Sequence, residues 1–122
     1  MAEKNETGRN GEIVARQYLV DKGYRILETN WRFRRFELDI IATNDKELVV
    51  IEVKTRSENY LMSPETAVDR YKIRRIVSAA DAYVRYYNIQ LPVRFDILCV
   101  VKKKGMSFEV EHIDDAFFSP MR

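Results

Sequence analysis

Two neighbouring apolar segments, each interrupted by acidic residues, constrain the fold of this chain most strongly. Residues 38–42 are apolar except for Asp39, and residues 48–54 are apolar until Glu52 and Lys54. Side chains alternate between the two faces of a strand, so the second segment is apolar on both faces until its carboxyl end. This pattern is typical of a central strand covered on both sides. Charges placed on such strands are costly to bury without partners, so they indicate a site.

The turn residues 44–46 lie between the two segments and predict a hairpin that brings Asp39 towards Glu52. Two adjacent carboxylates repel, and a divalent cation removes that penalty. Two carboxylates and a lysine are also the groups needed to hold Mg²⁺ and a water beside a phosphodiester. The alternative is a structural ion-pair cluster, in which Lys54 only neutralises Glu52.

The rest of the chain predicts an α-β-β-β-α-β-β order. Gly23 ends the first helix, and Ser63 and Pro64 suit the start of the second. The expected elements are a helix over 11–22, strands over 24–31, 37–43 and 48–54, a helix from 64 to about 87, and strands over 93–101 and 106–113. A hairpin followed by a helical crossover predicts an α/β fold with a mixed central β-sheet and flanking helices.

Composition predicts a single cytoplasmic domain over residues 1–122. The chain has 122 residues, 46% of them hydrophobic, which suits one domain. We expect a flexible N-terminus over 1–7 and a C-terminal tail over 114–122. The only cysteine, Cys99, predicts a buried, inert thiol and no internal disulfide. No segment has secretory or transmembrane character, so no membrane partner is expected, and a homodimer stays open.

The spacing from Asp39 to Glu52-x-Lys54 resembles the PD-(D/E)XK nuclease superfamily, also called the restriction-endonuclease-like fold. A longer ordered set resembles the YraN family of uncharacterised bacterial proteins and covers about residues 8–101. The set is Gly8-x-x-Gly11-Glu12, Leu19-x-x-x-Gly23-Tyr24, Asn30, Glu37-x-Asp39-x-Ile41-Ala42, Glu52-Val53-Lys54-Thr55-Arg56, Lys72-x-x-Arg75-Ile76 and Arg94-Phe95-Asp96. Phe36 replaces the family's usual Gly, and Leu38 replaces the superfamily's Pro.

This resemblance implies a restriction-endonuclease-like core and a metal-dependent endonuclease that hydrolyses phosphodiester bonds in DNA or RNA. The expected cofactor is Mg²⁺ or Mn²⁺. Asp39 and Glu52 would bind the metal, with the Val53 carbonyl as a third ligand, and Lys54 would position the attacking water. Glu12 would be a further catalytic carboxylate, reaching the metal directly or through water.

Two of the acidic residues also have plainer interpretations. Glu12 lies four residues before Arg16, so the two side chains suit an ion pair on a solvated helix face. Glu37 shares a strand face with Asp39 and would orient a water or pair with Arg35.

A basic rim around the carboxylates is expected to bind nucleic acid. Its members are Arg56, Lys72, Arg75, Arg34 and Arg35, with Arg32 beside the last two. Arginine's forked donors suit phosphate. The plainer alternatives are an Arg56–Glu58 pair and a solvated basic stripe through Lys72 and Arg75.

Other residues carry weaker signals. Trp31, Phe33, Phe36 and Tyr60 would stack on unpaired bases or belong to the core. Arg94 and Asp96 share a strand face and are expected to pair. His112 is the only histidine, so a zinc site is poorly supported. The rival functions are a non-catalytic nucleic-acid-binding module and a partner-binding scaffold that retain the fold.

Overall fold

A five-stranded mixed sheet lies between two helices in the computed structural model, which describes residues 2–57 and 69–117, with only the backbone described for 2–9 and 106. The elements are α1 (Ala2–Asp21), β1 (Arg25–Phe33), β2 (Phe36–Thr43), β3 (Leu48–Ser57), α2 (Arg70–Tyr86), β4 (Val93–Lys102) and β5 (Phe108–Ile113). The predicted element order and the mixed α/β class are confirmed. Within these residues, neither helix has the length and apolar character needed to cross a membrane.

The strands lie in the order β1-β2-β3-β4-β5, so chain neighbours are also sheet neighbours. All pairs are antiparallel except β3 and β4, which are parallel. Parallel strands need a long crossover connection, and α2 lies in the segment that makes it. The sheet is therefore mixed, as the hairpin-then-helix order predicts.

The core has two halves, one on each side of the sheet. Val50 of β3 packs in a cluster with Ile76 of α2, whereas Val49 packs with Ala15 and Leu19 of α1. Adjacent residues of β3 thus face different helices, as alternation along a strand requires. The prediction of a central strand covered on both sides is confirmed.

Helix α1 begins nine residues before the predicted start at Gly11 and ends where the sequence indicates. Gly23 has a left-handed backbone with φ of 96°. Its N–H donates to the Val20 carbonyl at 3.0 Å, and the Tyr24 N–H donates to the Leu19 carbonyl at 2.9 Å. These two bonds form a Schellman motif, in which glycine adopts the left-handed conformation without a Cβ penalty.

Helix α2 begins at Arg70, so the predicted continuous helix from Pro64 is wrong. Asp69 has an extended backbone and is the N-cap, and its Oδ1 accepts a 2.8 Å hydrogen bond from the Lys72 N–H. An aspartate at this position satisfies a helix N–H that has no partner within the helix. The predicted cap and first residue, Ser63 and Pro64, lie outside the described residues.

The β1–β2 hairpin is longer than predicted. Phe33 pairs with Phe36, so β1 ends two residues later, and β2 begins one residue earlier, than predicted. Arg34, with φ of 58°, and Arg35 form the two-residue turn between them. Both arginines therefore lie at a hairpin tip.

The other connections agree with the turn signals in the sequence. In the β2–β3 turn, Asn44 Oδ1 accepts hydrogen bonds from the N–H groups of Lys46 and Glu47, at 3.0 and 2.8 Å. Strand β3 continues to Ser57, three residues beyond its predicted end. A 3₁₀ turn over 104–106 joins β4 to β5, and Gly105 has φ of 81° there.

Candidate active site between β2 and β3

The candidate site lies where the β2–β3 ladder ends. The strands pair from Thr43 and Leu48 to Ile40 and Ile51. Immediately beyond that point, Asp39 Oδ2 accepts a 2.8 Å hydrogen bond from the Val53 N–H, in place of a backbone partner. The N–H and C=O of one strand residue point to the same side, so the Val53 carbonyl also faces β2.

Glu52 is the most buried carboxylate of this site, with only 3% of its side chain exposed. Its Oε1 lies 3.3 Å from Lys72 Nζ, and its Oε2 is buried with no hydrogen-bond partner among the described residues. Burial, and then the charge of Asp39, raise the pKa of Glu52 to about 7. Burial also raises the pKa of Asp39, although the Val53 N–H opposes that rise. The two carboxylates therefore resist simultaneous ionisation.

Two lysines accompany the carboxylates. Lys54 lies two residues beyond Glu52 on the same face of β3, and Lys72 approaches from α2. Burial lowers the pKa of Lys54 to about 8, with a further contribution from the neighbouring Lys72. Burial alone would lower the pKa of Lys72, but its contacts with Lys54 and Glu52 outweigh that and raise it. Lys54 is thus the ammonium group that loses its proton more readily.

Glu12 approaches the site from α1. A Cβ at Gly11 would overlap Thr55 Oγ1, so the glycine lets the helix lie directly against β3. Burial raises the pKa of Glu12, and the charge of Asp39 raises it further, whereas Arg16 lowers it. The side chain of Glu12 therefore interacts electrostatically with both Asp39 and its predicted ion-pair partner Arg16.

Glu37 borders the site and pairs with Arg32, so its predicted pairing with Arg35 is corrected. Glu37 Oε2 lies 3.4 Å from Arg32 Nε, and Oε1 accepts a 3.4 Å hydrogen bond from Asn30 Nδ2. A hydrogen bond from Asn30 also lowers the pKa of Glu12. Asn30 has φ of 52°, a conformation that asparagine tolerates better than most residues. Asn30 belongs to the ordered set of the sequence, which predicts no contact for it. Its position beside two carboxylates depends on strand pairing.

The expected basic rim divides into two groups. Lys72 contacts Glu52, and Arg56 shares a β3 face with Glu52 and Lys54. Arg56 Nη1 donates to the Thr55 carbonyl at 3.2 Å, and its alternative partner, residue 58, lies outside the described range.

The other three predicted members of the rim, Arg34, Arg35 and Arg75, line a separate groove between the β1–β2 turn and α2. Phe33 and Phe36 line the same groove. Trp31 instead meets the core residue Tyr83 edge to face, with ring centroids 5.1 Å apart. The fourth predicted aromatic, residue 60, lies outside the described range.

The donor set for a metal is small. Among the residues that the structure describes, no three His, Cys, Asp or Glu side chains are placed to hold a metal ion. Asp39 and Glu52 place carboxylate oxygens, and Val53 a backbone carbonyl, on neighbouring strands. A cation there would complete its coordination with water.

Comparison with known proteins places the chain in a family. The model of the uncharacterised protein family UPF0102 matches residues 11–100. The chain belongs to this family.

A UPF0102 protein of Parabacteroides distasonis is 61% identical over 122 residues, which is 100% of both chains. A UPF0102 protein of Bacteroides thetaiotaomicron is 50% identical, over 99% of this chain and 99% of its own. A UPF0102 protein of Flavobacterium psychrophilum is 45% identical, over 97% of this chain and 98% of its own. The YraN-like family that the ordered set of residues indicates is confirmed.

A second buried carboxylate, Asp96 of β4, belongs to a different network in this UPF0102 chain. Arg94 donates to both Asp96 oxygens, at 2.9 and 2.7 Å, which confirms the predicted pair. His112 Nε2 lies 2.6 Å from Asp96 Oδ2, and the Asp115 N–H donates to Oδ1 at 3.0 Å. Burial opposes ionisation, but these contacts outweigh it and lower the pKa of Asp96.

The Asp96 network also holds α1 against the sheet. Tyr18 OH lies 3.2 Å from His112 Nδ1, and Arg94 Nη2 donates to Tyr24 OH at 2.6 Å. Arg94 Nη1 lies 2.9 Å from Glu47 Oε1 in the β2–β3 turn. Every oxygen of Asp96 therefore has partners. Cys99, as predicted, is a buried thiol, and burial raises its pKa.

Proposed function

We propose that this chain is a metal-dependent endonuclease of the PD-(D/E)XK superfamily, with a restriction-endonuclease-like core, acting on DNA or RNA in the cytoplasm. The observation that carries this proposal is the buried Oε2 of Glu52 beside Asp39, which has no hydrogen-bond partner within residues 2–57 and 69–117. A buried carboxylate oxygen without a partner is costly and rare in folded proteins. A cation ligand would remove that cost.

The donor set suits Mg²⁺ or Mn²⁺. Asp39, Glu52 and the Val53 carbonyl are hard oxygen ligands, and Mg²⁺ commonly keeps several waters beside one or two carboxylates. When bound, such a cation would polarise a phosphoryl oxygen and lower the pKa of water. Its charge would also let both carboxylates ionise together.

The chain's own side chains account for the remaining steps. Lys54, whose pKa is lowered to about 8, orients the attacking water and stabilises negative charge on the phosphate. Glu12, on α1, holds a water near Asp39. Lys72 and Arg56 bind flanking phosphates as the nucleic acid enters.

Two observations favour a rival interpretation. Lys72 Nζ lies 3.3 Å from Glu52 Oε1, so the cluster already contains its own counter-charge. The absence of a third metal-ligating side chain within the described residues points the same way. On this interpretation the fold is a non-catalytic nucleic-acid-binding module or a partner-binding scaffold.

Cleavage assays distinguish the two interpretations. Labelled single-stranded, duplex and branched DNA and RNA are incubated with Mg²⁺, with Mn²⁺ or with EDTA. Asp39→Asn and Lys54→Ala should each lower the cleavage rate by about 10²–10³, the usual effect of removing one group that stabilises a transition state. Asp45→Asn and Lys46→Ala, in the exposed β2–β3 turn, are matched controls and should leave it unchanged.

Thermal unfolding tests metal binding without a substrate. A ligand that binds only the folded state raises its stability by mass action, so Mg²⁺ or Mn²⁺ should raise the melting temperature. Asp39→Asn should abolish that rise, whereas Asp45→Asn should keep it. Absence of both the metal-dependent rise and cleavage in the wild-type chain would favour the non-catalytic interpretation.

A further inference from the structure

A groove of about 530 Å³ lies between the tip of the β1–β2 hairpin and α2. Its lining residues are Phe33, Arg34, Arg35, Phe36, Tyr71, Arg74, Arg75 and Ser78. The volume is within the range of about 300–1,000 Å³ that is typical of small-ligand sites. Among the described residues that line the groove, half are arginines and none is acidic, so this part of the groove suits an anion.

Aromatic rings form the other part of this groove. Tyr71 is 66% exposed, so much of its ring is accessible to a ligand. Phe33 lies parallel to Trp31, with ring centroids 6.5 Å apart and an interplanar angle of 1°, so its orientation is set by a neighbour. Exposed ring faces beside positive charge suit a ligand that is both flat and anionic.

The arginines contact these rings. Arg75 lies over the Tyr71 ring at 4.6 Å and donates from Nη2 to Tyr71 OH at 2.9 Å. Arg34 lies over the Phe33 ring at 5.1 Å. Guanidinium groups held beside aromatic faces place hydrogen-bond donors for phosphate next to surfaces on which bases can stack. Proteins that bind single-stranded nucleic acids use this combination.

The groove adjoins the candidate active site. On α2, residues 71, 74, 75 and 78 form one stripe at helical spacing, and Lys72, which contacts Glu52, is next to Tyr71. On β2, Phe36 lies three residues before Asp39. A nucleic-acid strand bound in the groove would therefore continue towards Asp39 and Glu52.

We propose that this groove binds unpaired nucleotides, with a base stacked on Tyr71 and its phosphates held by Arg34 and Arg75. The inference rests on the proposed nucleic-acid substrate and names its class: a single-stranded segment next to the scissile bond. Stacking is available to every base, so the groove is expected to be tolerant of sequence.

Fluorescence anisotropy in EDTA tests this inference separately from cleavage. The probes are short labelled oligothymidine and oligouridine strands, an abasic strand of the same length and a paired duplex. Tyr71→Ala should weaken binding of the base-containing strands by about 5- to 100-fold, the usual effect of removing one stacking ring. Tyr71→Phe keeps the ring and should retain most of the affinity. Tyr86→Ala, a 76% exposed aromatic at the other end of α2, is the matched control.

The abasic strand separates stacking from phosphate contact. Arg75→Ala should weaken all single strands alike, whereas Tyr71→Ala should leave abasic binding unchanged. Arg85→Ala is the control for charge, because Arg85 is exposed on the same helix and pairs with Asp81 at 3.0 Å.

Three results would overturn the inference. The first is that neither base-containing strand binds, and the second is that the duplex binds as tightly as the single strands. The third is that Tyr71→Ala weakens binding of the base-containing and abasic strands equally. Loss of groove binding with metal-dependent cleavage intact would count against this inference alone. Groove binding without cleavage would count against the nuclease alone.

Discussion

Glu52 and Asp96 are buried carboxylates on neighbouring strands, but their surroundings shift their pKa values in opposite directions. They occupy adjacent levels of the parallel β3–β4 pair, where Glu52 is paired with Ile97 and Asp96 with Ile51. Glu52 faces α2, one of its oxygens has no hydrogen-bond partner in the described part of the chain, and its pKa is raised to about 7. Asp96 faces α1, has partners on both oxygens, and its pKa is lowered. A buried carboxylate is therefore a structural anchor when both of its oxygens have hydrogen-bond partners, and a candidate functional group when one of them lacks a partner.

The largest expected effect is on the complete network. Asp96→Ala leaves Arg94, with 15% of its side chain exposed, without its main partner. Breaking a buried pair by removing one partner commonly costs about 3–5 kcal/mol. Urea unfolding should report a loss of this size, with a smaller loss for Asp96→Asn, which keeps part of the hydrogen bonding. If Asp96→Ala lost less stability than Glu52→Ala, the contrast between the two regions would be wrong.

A second expected effect concerns how α1 reaches the site. Gly11→Ala would normally stabilise a helix by about 0.5–1 kcal/mol. Here the added Cβ overlaps Thr55 Oγ1, so we expect a loss of about 1–3 kcal/mol from overpacking. Thermal unfolding of Gly11→Ala with and without Thr55→Ala checks the cause, because the second change removes the overlap. A stabilised Gly11→Ala would contradict the close contact between α1 and β3.

The two regions should also respond to pH in opposite directions. Glu52 has an ordinary pKa of 4.5 that rises to about 7, so the folded state binds its proton more tightly. Its contribution is present below pH 4.5 and is lost as the pH rises to about 7, by up to about 3 kcal/mol. The Asp96 contribution is present above its ordinary value of 3.8 and is lost as the pH falls below it.

Urea unfolding across this pH range measures the difference. Glu52→Gln should flatten the decline between pH 4.5 and 7, and Asp96→Asn should leave that decline in place. Glu109→Gln, whose side chain is 72% exposed, is the control and should change neither region. An unchanged decline in Glu52→Gln would show that Glu52 titrates as an ordinary carboxyl.

The smallest expected effect is at the edge of the complete network. Tyr18→Phe removes the 3.2 Å contact with His112 Nδ1 and leaves the ring in place. A hydrogen bond of this kind contributes about 1 kcal/mol, and we expect a loss of that size in unfolding experiments. Cleavage and metal-dependent stabilisation should not change, because Tyr18 does not contact Asp39 or Glu52. Loss of cleavage in a stable Tyr18→Phe protein would mean that the two regions are coupled.

The sequence determined the features that depend on local patterns. The left-handed Gly23, the Asn44 turn and the alternation along β3 are set by residues close in the chain, so element order and fold class were predictable. The ordered residues from Gly8 to Asp96 also indicated the family. The catalytic and metal-binding roles of Asp39, Glu52 and Lys54 stay predictions.

Only the tertiary structure decided the features that depend on partners distant in the chain. The sequence suggested Pro64 as the start of α2, whereas the capping contact in the fold begins it after Asp69. Which carboxylate oxygen lacks a partner among the described residues depends on how β3, β4 and α2 are brought together. Which arginines share a groove with Tyr71 depends on how the β1–β2 hairpin packs against α2. Burial and proximity set the pKa of a carboxyl group. Both arise from long-range packing, and local sequence patterns do not encode them.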